Sequence, residues 1–193
     1  MRELCPQCQL VSALCLCAST TKLQARTRIV VLQHPQEVNH AKNTLRLARL
    51  CLPEIQVWVG ERPEDFSDAR VQIAQRYSVL CYPQAGSVTL ASQATQVEQL
   101  VFIDATWRKA YKLLQLNPWL QSLPLCHFSD APAGDYRLRK TSQAGGLSTL
   151  ESIAYGLGCV EQLDVQALYQ LQTEWVSRRQ HFMPAQVRQR YEP

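Results

Sequence analysis

Asp104-Ala105-Thr106-Trp107 follows the unbroken apolar run Leu100-Val101-Phe102-Ile103, so a carboxylate and a hydroxyl stand where a buried strand gives way to a helix. In open α/β sheets ligands bind beyond the carboxyl ends of the strands, and an acid placed there can take a proton from a substrate. An Asp or Thr at such a junction also serves simply as a helix N-cap. A second junction of the same kind closes the run Arg28-Ile29-Val30-Val31-Leu32. There His34-Pro35-Gln36-Glu37, followed by Asn43-Thr44, supplies an imidazole and another carboxylate.

The other chemistry-bearing pattern is at the N-terminus. Four of the eight cysteines, Cys5, Cys8, Cys15 and Cys17, fall within thirteen residues. Thiolates at such spacing can close a tetrahedral zinc site and so hold a loop too small to bury a core of its own. A redox pair at Cys5 and Cys8 is the rival reading, but it leaves Cys15 and Cys17 unexplained. Disulfides are the weaker reading for a reducing compartment. Four sulfur ligands leave no open position, so the expected role is structural. Cys51, Cys81, Cys126 and Cys159 stand in apolar contexts and are expected in the core.

The elements that position these groups follow from periodicity and punctuation. Strands are expected at residues 28–32, 55–59, 79–82, 100–103 and 125–128, each stopped by Pro, Gly or a polar turn. Residues 41–50 read as an amphipathic helix ended by Pro53, and 61–77 as loop plus helix. Trp107, Ala110, Tyr111 and Leu114 recur at helical spacing and predict one apolar face up to Asn117-Pro118. Ser148-Thr149-Leu150-Glu151 has capping-box spacing for a helix to about Gly158, and a last helix is expected from Asp164 to Gln180. Strands alternating with helices imply an α/β domain with a largely parallel sheet.

Composition sets outer bounds. A chain of 193 residues that is 46% hydrophobic can bury one sizeable core. No apolar run approaches the roughly 20 residues that span a bilayer. Met1-Arg2-Glu3-Leu4-Cys5 opens without a long apolar stretch, from which a cytoplasmic protein is expected. Neither a membrane nor an obligate protein partner is indicated. The net charge of +4 is modest, but Arg137, Arg139 and Lys140 cluster, and Arg178, Arg179, Arg188 and Arg190 make the C-terminal end basic. Such clusters contact phosphates, or form a solvated face.

Taken in order, the paired cysteines, His34-Pro35-Gln36-Glu37 with Asn43-Thr44, Tyr82-Pro83, Asp104-Ala105-Thr106-Trp107, Tyr136-Arg137-Leu138-Arg139-Lys140 and Ser148-Thr149-Leu150-Glu151 resemble the DTW-domain family of RNA aminocarboxypropyltransferases. Ala105 stands where the family often has glycine, a small-for-small change. The family is similar to the SPOUT superfamily. The resemblance therefore implies a mostly parallel α/β sheet flanked by helices with a C-terminal knotted crossover, which chain-topology rules would not suggest. It divides the chain into a small four-cysteine zinc-binding segment, 1–24, and a catalytic domain with a basic C-terminal helix and tail, 25–193.

The activity implied is transfer of the 3-amino-3-carboxypropyl group of S-adenosylmethionine to N3 of a uridine in tRNA. Asp104 is then the expected general base, with Glu37 as runner-up and Thr106 and Trp107 beside them. Leu80, Tyr82, Pro83, Ile103, Arg137, Ser148 and Thr149 are expected around the donor. Gly145-Gly146 leads into a helix start whose N–H groups suit the donor carboxylate. His34, Asn43, Arg139 and Lys140 are assigned to RNA, His34 with Glu37 alternatively bracing Asn43 and Thr44. Tyr82 and Trp107 flank a ring of donor or acceptor, or belong to the core. Two rival functions stay open on the residues: a tRNA methyltransferase using the same donor, and a non-catalytic, zinc-stabilised RNA-binding module.

Overall fold

A computed structural model of the chain describes residues 3–132, 134, 136 and 146–188. Arg137, Arg139, Lys140 and Gly145 lie outside the described residues. The main elements are β1 (Arg28–Gln33), α1 (Leu45–Cys51), β2 (Gln56–Val59), α2 (Ser67–Ala74), β3 (Ser78–Cys81), β4 (Val88–Thr89), α3 (Leu90–Gln93), β5 (Gln99–Asp104), α4 (Trp107–Leu116), β6 (Leu125–His127), α5 (Thr149–Glu161), α6 (Gln166–His181) and α7 (Ala185–Arg188).

The strands form one sheet in the order β2-β1-β5-β3-β6-β4, with every pair parallel. Five of them are the expected runs. The sixth, β4, has two residues and sits at an edge, too short for any alternation to announce it in sequence. In β1 and β5 the side chains divide by parity: Ile29, Val31, Leu100 and Phe102 enter one apolar layer, Val30, Leu32 and Val101 the other. A sheet covered on both faces needs such unbroken apolar strands. The first layer is completed by α1, α5 and α6 through Leu47, Leu157 and Trp175. The second is completed by α2 and α4 through Ile73, Leu113 and Leu114.

Tyr111 departs from the expected face of α4. It is 58% exposed, and Leu113 occupies the inward position instead, because the buried stripe is centred on Ala110, Leu113 and Leu114. Helix α1 begins later than periodicity suggests, after Thr44, whose hydroxyl accepts from the Leu150 amide 3.2 Å away instead of capping its own helix.

The expected capping box at Ser148 is present: its hydroxyl accepts from the Glu151 amide, and the Glu151 carboxylate accepts from the Ser148 amide. The helix continues past Gly158 to Glu161 and ends on Gln162 in the left-handed region, φ 53°. Gly156 lets α5 lie close to the sheet: a Cβ there would come within 3.1 Å of Leu100 and 3.3 Å of Phe102. That close approach brings the start of α5 to the end of β5.

The N-terminal segment packs against the first layer. Leu10 and Leu16 are buried with Trp175 of α6, and the Arg178 guanidinium donates to the Cys15 carbonyl. Among the described residues no helix is long and apolar enough to cross a membrane.

Candidate active site

Parallel strands end together, so β1 and β5 deliver Gln33 and Asp104 to the same edge as register partners. The Asp104 side chain is buried there at 4% exposure. Its Oδ2 accepts from Gln33 Nε2 and from Asn43 Nδ2, both at 2.7 Å, and its Oδ1 accepts from Thr149 Oγ1 at 2.5 Å. Three donors from three separate segments of the chain thus stabilise one desolvated carboxylate, which would otherwise be costly to bury.

Beyond the ends of β3, β5 and β6 opens a cavity of about 750 Å³. Tyr82, Pro83, Ile103, Trp107 and Thr149, all expected at the donor site or beside it, line this cavity, together with Phe102, Phe128, His127 and Ser152. Tyr82 and Trp107 pack as a tilted pair, ring centroids 6.0 Å apart. Phe128 packs on Tyr155 at 4.7 Å. The walls suit a flat aromatic ligand with a few polar attachment points. Asp104 lies behind this lining, and Thr149 touches both.

Other expected site residues are placed differently. Leu80 is fully buried in the α2 and α4 layer and does not line the cavity. Thr106 is exposed at the N-cap of α4, without a side-chain capping bond. His34 is buried with both ring nitrogens engaged: Nδ1 accepts from the Gln36 amide at 3.1 Å, and Nε2 is 3.3 Å from Glu61 Oε1. Glu37 is buried and ion-paired with Lys109 at 2.9 Å. Asn43 is turned inward to Asp104. At the head of α5, the amides of Ser148, Leu150 and Glu151 already bond inside the protein, and the Ser148 hydroxyl donates to Gln172. Anion capture by those three amides would require breaking these bonds.

Several residues have no sequence forewarning. Gln33 reads as the polar end of a strand, and only its register opposite Asp104 gives it a role. Gln172 lies mid-helix on α6 yet bridges Ser148 and Glu151. Cys81 and Cys126, expected simply as core, are cross-strand partners that also line the cavity. Burial pushes both thiols up from their ordinary value.

In the N-terminal segment the Sγ atoms of Cys5, Cys8, Cys15 and Cys17 all lie within 4.8 Å of one another, so the cluster could bind a metal ion. Sulfur separations of 3.7, 3.7 and 3.5 Å match the edge of a tetrahedron with metal–sulfur bonds of about 2.3 Å. Backbone N–H groups of Cys8 and Gln7 converge on Cys5 and hold its thiol down at about 6. All eight cysteines are free thiols.

A model of the DTW domain matches residues 2–180 of this chain, spanning the cysteine cluster, the cavity and all but the last residue of α6. The chain belongs to the DTW-domain family. Among curated relatives of this DTW protein are two proteins named tRNA-uridine aminocarboxypropyltransferase 2. The Macaca fascicularis one is 26% identical over 171 residues, covering 83% of this chain and 57% of the relative. The Mus musculus one has the same identity and coverage. A Drosophila melanogaster protein of the same name is 29% identical over 169 residues, 83% of this chain and 67% of its own length. The DTW chain thus spans a little over half the length of the two mammalian relatives, 57% of each. No solved structure gives a significant match.

Proposed function

We propose that this chain transfers the 3-amino-3-carboxypropyl group of S-adenosylmethionine to N3 of a uridine in tRNA, giving 3-(3-amino-3-carboxypropyl)uridine and methylthioadenosine. The observation that carries this reading is the aromatic-walled cavity at the strand ends, with a hydroxyl on its lining bonded to a buried carboxylate behind it. The names of the relatives agree with it.

In the proposed reaction N3 loses its proton and its lone pair attacks the methylene next to sulfur. The carbon–sulfur bond breaks, and its electrons leave the sulfonium as a neutral thioether. Asp104 is the base, and the route to it runs through Thr149, which takes the N3 proton on Oγ1 while passing its own to Asp104 Oδ1. Tyr82, Pro83, Ile103 and Trp107 enclose the donor, with the Tyr82 and Trp107 rings beside its adenine or the acceptor uracil. Holding donor and acceptor in line supplies much of the remaining acceleration, since the sulfonium is already activated.

Zinc is the proposed metal of the cysteine cluster: with Cys5, Cys8, Cys15 and Cys17 as ligands it would lack an open position and serve the fold alone. The same reading takes residues 1–24 as the zinc-binding segment and 25–193 as the catalytic domain with its knotted crossover. It places the protein in the cytoplasm, which the eight free thiols fit.

Nucleoside mass spectrometry of tRNA incubated with the protein and S-adenosylmethionine tests the proposal. A uridine heavier by the aminocarboxypropyl group, with methylthioadenosine released, is expected. A methylated base with S-adenosylhomocysteine would overturn it.

A further inference from the structure

Two arginines far apart in sequence converge on the face shared by α1 and α6. The guanidinium of Arg46 lies 4.9 Å, and that of Arg179 5.1 Å, from the ring centroid of Trp175, which is itself 1% exposed. Both guanidiniums donate to one acceptor, the carbonyl of Ala41. Their charges repel; Tyr136 and Cys8 lie near enough to act in favour of the Arg46 charge, but among the described residues neither guanidinium has a carboxylate within ion-pair distance. Arg46 Nε is also buried with no hydrogen-bond partner among the described residues. The neighbouring Arg178 contrasts with them: it pairs with Glu174 at 2.6 Å and braces the Cys15 carbonyl, so it is spent inside the protein.

Two guanidiniums held together with no paired carboxylate favour an added anion, and planar guanidiniums fixed on an indole are preorganised for oxyanions. The position connects to the reacting end of the molecule. The Arg46 amide donates to Asn43 Oδ1 at 3.3 Å, and the other end of that same amide side chain holds Asp104.

We propose that Arg46 and Arg179 form a phosphate clamp for the tRNA backbone, set in register with the Asp104 site by the short span from Asn43 to Arg46. This inference rests on tRNA being the substrate and adds the surface that grips it. The clamp reads charge and spacing, not base identity, so it positions tRNA without selecting sequence.

The test uses the full chain with its metal and a pool of transcribed tRNAs, with binding measured by fluorescence anisotropy across a salt series. Arg46→Gln and Arg179→Gln are each expected to weaken binding about tenfold and to make the log–log salt slope shallower by about one unit, the loss of one phosphate contact. The loss appears in KM for tRNA, and Arg70→Gln on α2, in the opposite layer, changes neither quantity.

Because these guanidiniums cover Trp175, a second measurement needs no variant: phenylglyoxal labelling of the wild-type chain, mapped by mass spectrometry. Arg46 and Arg179 should be protected by tRNA and Arg70 not. Unchanged affinity and slope in both variants, or labelling indifferent to tRNA while the wild-type chain modifies tRNA, overturns the clamp alone. A wild-type chain that neither binds nor modifies tRNA overturns the functional reading and the clamp with it.

Discussion

Thr149 Oγ1 lies 2.5 Å from Asp104 Oδ1, and this one bond joins the cavity lining to a carboxylate that is otherwise enclosed. Its geometry sets what substitutions at either end should do. In Asp104→Asn the amide oxygen can keep the Gln33 and Asn43 bonds, while the new NH₂ donates to the Thr149 hydroxyl, which accepts as readily as it donates. The variant should therefore fold and bind donor with little change while turnover falls about 10²- to 10⁴-fold. Single-turnover kinetics and thermal melts check this. Wild-type turnover would move the base elsewhere.

Thr149→Val keeps the shape and removes the hydroxyl. Turnover should fall about 10²-fold if the relay carries the proton, and Thr149→Ser should restore most of it. Wild-type turnover in the Val variant would refute the relay.

Glu37 offers the contrasting case. Its carboxylate is tied to Lys109 and does not line the cavity. Glu37→Gln is expected to leave kcat within about threefold of wild type, an effect below the usual size for losing a general base. A loss as large as that of Asp104→Asn would reassign the base to Glu37.

Trp107 stands half-buried between cavity and core, packed on Tyr82. Stacking on a nucleobase contributes about 1–3 kcal/mol, so Trp107→Ala should raise the donor dissociation constant by roughly tenfold or more. Titration with S-adenosylmethionine, followed by calorimetry, reads this directly. An unchanged constant with a lowered melting temperature would make Trp107 a core anchor only.

Metal removal should act on the fold more than on the chemistry. Leu10 and Leu16 pack with Trp175, so releasing the cysteine cluster loosens the face against α6. Cys5→Ser or Cys17→Ser should lose one equivalent of zinc by metal analysis and lower the melting temperature by several degrees, each kcal/mol corresponding to about 2–4 °C at this size. Retention of a full equivalent in both variants would refute the four-sulfur assignment.

Much of this was legible without coordinates because it is local. Alternating apolar runs and helical stretches mark a covered parallel sheet, Ser148 and Glu151 announce their capping box, and the cysteine spacing announces its cluster. Such patterns depend on neighbours within a few residues, where backbone periodicity ties sequence to position. The donors to Asp104 come instead from residues 71, 61 and 45 positions away. Those partnerships, the placement of β3 between β5 and β6, and the convergence of Arg46 with Arg179 on Trp175 follow from strand order and helix packing. No local period encodes them. Sequence alone determined which chemical groups the chain carries and that strand ends present them; the tertiary structure decided which groups meet, because parallel strands joined by crossovers bring distant segments to a common edge.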